Sequence, residues 1–250
     1  LISGLTGERT ALILGAVGLG LAFAAFRGGR VSSFLRVFLV IFSVEYVVTG
    51  AAYLLAKHGI WPEAYKTLAI PFQLPLTVGL FGILVYAISF IPVVRTISGL
   101  ADPYFASTNT KEQVLPLLGR VRERRLAWGL VIALVVINQL QVGISVRLSF
   151  FNRDWFNAIQ NKDEAAFWSL LISVFLFWAM IAVVSNLIEY FLENVLKIRW
   201  REYLVDKYSA DWLGRGAHYR MGFSGGADNP DQRIAEDVKN YILNTYAFSI

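Results

Sequence analysis

The 250-residue chain contains no cysteine. That removes disulfides, thiolate metal sites and cysteine nucleophiles together. It holds only two histidines, His58 and His218, and the topology derived below puts them on opposite sides of a membrane, so no metal centre is expected. No glycine is followed by lysine, so the GxxxxGK[ST] phosphate loop is absent and this chain does not bind ATP by that route. Charge is scarce as well: Asp, Glu, Lys and Arg make up 16% of the residues, where a soluble domain carries about 25%. What is abundant is apolar surface, 56% of the residues, with a mean hydropathy of +0.53. This composition excludes a disordered chain, a disulfide scaffold and an ordinary soluble enzyme. It predicts an all-α membrane protein, a polytopic helical bundle.

A hydrocarbon core about 30 Å thick takes about 20 apolar residues of helix. Five stretches qualify: residues 10–26, 34–56, 70–91, 126–150 and 165–196. A sixth run begins near Tyr241. The chain starts with Leu and stops inside that run, which suggests a piece of something longer. The first stretch does not read as a signal peptide, because it has no basic start and Arg27-Gly-Gly-Arg30 stands where a cleavage site would be.

The loops set the orientation. Arg27, Arg30 and Arg36 follow the first span. Arg95, Lys111, Arg120, Arg122, Arg124 and Arg125 follow the third, and eight more Lys and Arg follow the fifth. The alternate side holds only Arg9, Lys57, Lys66, Arg147, Arg153 and Lys162. The positive-inside rule then places the N-terminus of this chain outside and everything after about Lys197 in the cytoplasm. The same rule accounts for the net charge of +5, so nucleic acid is not an expected partner. Trp61, Trp128, Trp155, Trp168 and Trp200 fall near span ends, as an interfacial belt would place them.

The chain divides by character into residues 1–95, three spans with short loops; 96–125, a polar connector; and 126–250, two long spans with a large basic segment. Residues 112–125 alternate apolar residues with arginines. They read either as a helix in the cytoplasmic interface or as an extended start of the next span. In the outer connection, Phe151, Trp155, Phe156 and Ile159 recur at helical spacing. An amphipathic turn and a tight connector both fit, with Asp163 capping the helix that follows.

The fifth span does not end at the lipid. It continues without Gly or Pro through Trp200, Leu204, Tyr208 and Trp212, so the helix is expected to reach about Leu213 with an apolar stripe that needs a partner. Breaks follow at Gly214–Gly216 and in the Ser224-Gly-Gly segment. A new helix then starts with Asn229 as N-cap, Pro230 at N1 and Gln232 at N3 of a capping box. Asp231, Glu236 and Asp237 suit its dipole.

Polar residues inside spans are costly in hydrocarbon and are therefore candidate functional groups. Glu45 lies in the second span. Asn138, Gln139 and Gln141 cluster in the fourth. Asn186, Glu189 and Glu193 share one face of the fifth. They read either as a wall along a water-filled substrate path or as interhelical hydrogen bonding. Gly15, Gly18 and Gly20 in the first span suit close helix packing. Gly222-Phe-Ser224-Gly-Gly226 matches a nucleophile elbow in letters only, because the strand and histidine partner that motif requires are missing.

The run Ile198-Arg-Trp-Arg-Glu-Tyr-Leu204, then Trp212-Leu213, Tyr219-Arg220 and Asp228-Asn-Pro-Asp-Gln-Arg-Ile-Ala-Glu-Asp-Val238, resembles the first intracellular loop of ABC transporter permeases. The particular relatives are the SbmA/BacA-like peptide uptake family and the peroxisomal ABC subfamily D. Asn152-Arg-Asp-Trp-Phe-Asn-Ala-Ile-Gln160 with Phe167-Trp168 is similar to their first extracellular connection. The resemblance covers about residues 126–250. It implies part of an exporter-like (type IV) transmembrane domain, with residues 1–95 as a three-helix extension. It implies that Asn229, Pro230, Asp231, Gln232, Arg233, Glu236 and Asp237 lie at the contact with a nucleotide-binding domain; the polar groups within the spans, Asn138, Gln141, Asn186, Glu189 and Glu193, are then the candidates for the substrate path. ATP and Mg would bind that other domain; this chain needs no cofactor of its own. A homodimer in a bacterial inner membrane, moving peptide-like or amphipathic cargo by alternating access, is what the family implies. Two alternatives stand beside it: a proton-driven peptide importer lacking the nucleotide-binding domain, and a non-transporting subunit serving assembly of a larger membrane complex.

Overall fold

Long apolar runs free of internal Gly-Pro breaks become long helices, because in lipid every backbone N–H and C=O must be satisfied within its own segment. The structure, a computed structural model, describes residues 7–60, 71–108, 110–111, 121–216, 219–220 and 229–250. It divides into two units, Leu1–Asn109 and Thr110–Ile250. The expected interfacial stretch at 112–120 and most of the break after Gly216 lie outside the described residues, as does Trp61.

In the first unit, α1 (Gly7–Arg27) ends in a 3-10 turn, Gly28–Arg30. Then come α2 (Ser33–Lys57), α3 (Gln73–Ile88) and α4 (Pro92–Phe105). The turn between α1 and α2 is stitched by one side chain. Arg36 Nε donates to the Gly28 carbonyl at 3.1 Å, and its Nη2 donates to those of Gly29 and Val31 at 3.1 and 3.3 Å. The Gly28 carbonyl also accepts the Val31 N–H at 3.1 Å, and carbonyls at a helix end need such partners from outside the helix. At the start of α2, Ser32 Oγ accepts the Leu35 N–H at 3.2 Å, and Asp102 Oδ1 of α4 accepts the Phe34 N–H at 3.2 Å. A capping oxygen of this kind stabilises a helix by about 1 kcal/mol.

Small residues let α3 press against both neighbours. A Cβ on Gly79 would stand 2.5 Å from Val17 Cγ1 and 2.8 Å from Tyr46 Cδ2, and one on Gly18 would stand 3.2 Å from the Tyr46 hydroxyl. That hydroxyl donates to the Leu14 carbonyl at 2.5 Å. Gly18 and Gly20 of α1 therefore do serve close packing, whereas a Cβ on Gly15 would meet nothing within 4 Å.

The third expected span ends earlier than its apolar run. α3 and α4 are bent by 92° at a break of a few residues, and among the described residues four helices are long and apolar enough to cross a membrane singly. A fifth crossing exists only if the bent pair is taken as one. The turn is built from Phe90 and Ile91 N–H groups bonded back to the Ala87 and Ile88 carbonyls at 3.2 and 3.0 Å. Pro92 then opens α4 at a position where its missing N–H costs nothing. Because α4 packs back on α2, with Phe34 and Phe105 rings 5.0 Å apart, the first unit continues past residue 95 to Asn109.

In the second unit, Thr110–Lys111 (β1) and Val121–Arg122 (β2) form a two-residue antiparallel pair. α5 (Glu123–Gln160) starts immediately after and runs 38 residues without interruption. Its C-terminal end holds Phe151, Trp155, Phe156 and Ile159 in the same helix, so the connection that follows is a tight one. Lys162 takes a left-handed φ of 53°, and Asp163 Oδ1 caps the next helix by accepting the Ala166 N–H at 3.0 Å, as its sequence position predicts. α6 (Glu164–Ser169), a π-helical stretch Leu170–Leu176 and α7 (Phe177–Leu213) form one rod of 50 residues, roughly 75 Å at α-helical rise. α8 (Pro230–Ser249) returns along it.

Candidate functional site

The polar groups of α5 and α7 meet across the helix pair. Gln141 Nε2 donates to Asn186 Oδ1 at 3.1 Å and to Glu189 Oε2 at 2.5 Å. Three of the five residues expected on the substrate path thus form one cluster. Asn138 turns the other way and donates to the Leu134 carbonyl of its own helix at 3.1 Å. It still lines, with Gln141, Ser145 and Ser149, a shallow groove of about 390 Å³ along α5. Glu193 is drawn to the adjoining helix. It pairs with Lys197 one turn on and accepts a hydrogen bond from the Tyr246 hydroxyl of α8, while the Lys197 ammonium lies 4.2 Å above the Tyr246 ring. The polar face read from the sequence is therefore shared between α5 and α8. No residue in the most apolar 18-residue stretch of the rod is buried and Asn186 is itself exposed, so the cluster borders a surface that lipid or further helices must cover.

Below the cluster, Arg199 of α7 pairs with Glu123 at the first turn of α5, and its Nη1 reaches Glu202 at 3.0 Å. The Glu123 side chain is 2% exposed. Among the described residues its second oxygen and Arg199 Nε have no partner. The sequence gives neither residue a role of its own, since nothing local signals a pairing across 76 positions.

The apolar stripe past Lys197 finds its partner. Leu196, Trp200 and Leu204 are buried, as are Val238 and Ile242 of α8. The Trp200 and Tyr241 rings meet edge-on at 5.9 Å. Trp200 with Tyr241 and Lys197 with Tyr246 give an antiparallel register. Trp200 is thus a packing residue; Trp128 and Trp168 keep to span ends as expected, and Arg124 lies 5.5 Å over the Trp128 ring. Farther down, Lys207 donates to Asp211 at 2.9 Å, which holds its ammonium above the usual lysine value.

The residues expected to meet a nucleotide-binding domain sit together at the N-terminal end of α8. Pro230 stands at N1 and Asp231 in the first turn. Asn229 occupies the N-cap position, but in a left-handed conformation (φ 48°, ψ 62°) and with no side-chain cap bond. Gln232 does not close a capping box; its Nε2 donates forward to Glu236 at 3.0 Å. A left-handed Asn229 aims its side chain away from the first-turn N–H groups, so the spacing that reads as a capping box yields a helix-surface pair instead. Asp231, Gln232, Arg233, Glu236 and Asp237 are all exposed, whereas Val238 and Ile242 farther along the helix are buried. Among the described residues no cluster of His, Asp and Glu could hold a metal.

Several helices long and apolar enough to cross a membrane, one of them continuing well past its apolar length beside a returning helix, define an all-α, multi-pass integral membrane protein. The chain belongs to the family of the ABC transporter transmembrane region 2, which matches residues 117–248. It is similar to an uncharacterized ABC transporter ATP-binding protein of Haemophilus influenzae, 33% identical over 111 residues, or 42% of this chain and 19% of that protein. It is similar to the inner membrane ABC transporter ATP-binding protein YddA of Escherichia coli, 32% identical over 155 residues, or 60% of this chain and 25% of that protein. It also resembles the chloroplastic ABC transporter D family member 2 of Arabidopsis thaliana, 27% identical over 122 residues, or 47% and 17%. The chain spans a quarter or less of the length of these relatives. No solved structure matches it.

Proposed function

We propose that this chain is the permease part of an ABC transporter of a bacterial inner membrane, working as a homodimer and moving peptide-like or amphipathic substrates by alternating access. The observation that carries this reading is Gln141 bonded to both Asn186 and Glu189 within the apolar length of two spans. A carboxylate and two amides in hydrocarbon are costly, and a transport path gives them a use. The exposed end of α8 around Asp231 and Arg233 is the docking point for a nucleotide-binding domain, which binds ATP and Mg. The inward Lys/Arg excess orients the N-terminus outward. The reading is tested with the full-length protein in proteoliposomes, using a fluorescein-labelled library of amphipathic peptides. Glu189→Gln should lower uptake without lowering membrane content. Asp231→Ala with Arg233→Ala should leave ATP hydrolysis running while uptake fails. Normal uptake in the first variant returns Glu189 to a packing role; normal uptake in the second removes the docking role.

A further inference from the structure

The α3–α4 bend points to a surface that the transport reading does not use. We propose that α4 lies in the plane of the membrane at its cytoplasmic boundary, with Val93, Ile97 and Leu100 seated in lipid.

The direction of α4 follows from its neighbours. Contacts between α1 and α3 climb together along both helices: Gly79 against Val17, Gly82 against Leu21, Phe23 against Tyr86 at 6.3 Å. Contacts between α2 and α3 run in opposite senses: Tyr53 with Phe72 at 5.9 Å, Tyr46 with Gly79, Phe42 with Phe81 at 5.9 Å. So α3 is aligned with two helices that each qualify as a membrane span. A helix turned by 92° from α3 crosses the span direction and lies along the sheet of the membrane.

Its level follows from two contacts. The Phe34 N–H bonds Asp102 at 3.2 Å, and the Phe34 ring meets Phe105 at 5.0 Å. Both fix α4 beside the first turn of α2, where Arg27, Arg30 and Arg36 gather. That arginine-rich end faces the cytoplasm by the positive-inside rule, and it suits anionic headgroups.

Around its axis α4 has three sectors. Ser98, Ala101, Tyr104 and Phe105 are buried on the side that packs against α2. Val93, Ile97 and Leu100 form an apolar flank, 66, 43 and 44% exposed. Arg95, Thr96 and Gly99 make the opposite, polar flank and are exposed. One flank for lipid, one for water and a third for protein is the pattern of an in-plane helix, whose apolar side sinks about 5–10 Å into the headgroup and acyl boundary. Phe90 and Ile91, also exposed, carry the apolar flank into the lipid-facing surface of α3.

The test uses single cysteines, introduced after any cysteine outside this chain, which itself has none, has been replaced by serine. Spin labels are placed at Val93, Ile97 and Leu100 and, separately, at Arg95, Thr96 and Gly99. The full-length protein is reconstituted in vesicles of phosphatidylethanolamine and phosphatidylglycerol. Collision with oxygen should exceed collision with aqueous nickel-EDDA severalfold at 93, 97 and 100, and the ratio should invert at 95, 96 and 99. Equal aqueous access at all six positions overturns the proposal. So does protection of 93, 97 and 100 from both reagents, which would mean that protein, not lipid, covers the flank.

Discussion

Removing Arg199 should destabilise the second unit far more than removing Glu123, although the two residues form one ion pair. Glu123 is 2% exposed and Arg199 17%. In Arg199→Met the Glu123 carboxylate stays in a site closed to water, with no partner among the described residues; a stranded buried charge of this kind costs about 3–5 kcal/mol. In Glu123→Leu, Arg199 keeps Glu202 at 3.0 Å and some solvent, so the loss is that of a charged hydrogen bond, about 1.5–3 kcal/mol. The double replacement Glu123→Leu with Arg199→Met removes both charges at once and should return to within about 1 kcal/mol of the parent. The assay is reversible unfolding of the full-length protein in mixed detergent and SDS micelles, read as a double-mutant cycle. Equal costs for the two single variants, or a double variant whose cost is the sum of theirs, would refute the idea that burial makes this pair asymmetric and coupled.

Gly79→Ala should destabilise the first unit by about 1–3 kcal/mol, the range for overpacking a filled contact, because its new methyl meets Val17 and Tyr46. Gly15→Ala, with open space around it, should be neutral or stabilising by up to about 1 kcal/mol; thermal unfolding in detergent separates the two. Trp200→Ala should cost about 3–5 kcal/mol of local packing and free α8 from α7. Limited proteolysis of inside-out vesicles should then cut residues 229–240 faster, and an unchanged cleavage rate would count against the Trp200–Tyr241 contact as the clamp.

The spans, the long rod to Leu213 and its returning partner were legible because they rest on period and composition. Trp200, Leu204 and the residues after them repeat at helical spacing whatever they touch. Asp163 and Pro230 announce helix starts through local chemistry alone. What escaped the sequence was set by contacts distant along the chain or by backbone direction. Apolarity runs unbroken through Ile91, so it shows no bend, although Pro92 marks where one is tolerated. Glu123 and Arg199 carry the same surface signature as their charged neighbours; only the fold buries one of them. Gln141 was readable as a costly polar group, but its choice of Asn186 and Glu189 over its own helix, the opposite of Asn138's choice, depends on how α5 is rotated against α7. The π stretch at Leu170–Leu176 has no sequence sign that we can identify.

The rod formed by α6, the π stretch and α7 is held at two heights, by Gln141 along its apolar length and by the Glu123–Arg199 pair farther along it. Under the transport reading proposed above, release of the Glu123–Arg199 pair would let it swing as a lever about the Gln141 contact. From Glu189 to Leu213 the arm is about 36 Å at α-helical rise. A tilt of about 10° around the Gln141 contact would sweep the far end through about 6 Å by that same rise, more than one helical turn of travel. Small rearrangements among three polar side chains in the bilayer are in this way enlarged into a displacement that a neighbouring protein could sense, and a push at the tip would be reduced by the same ratio on its way back.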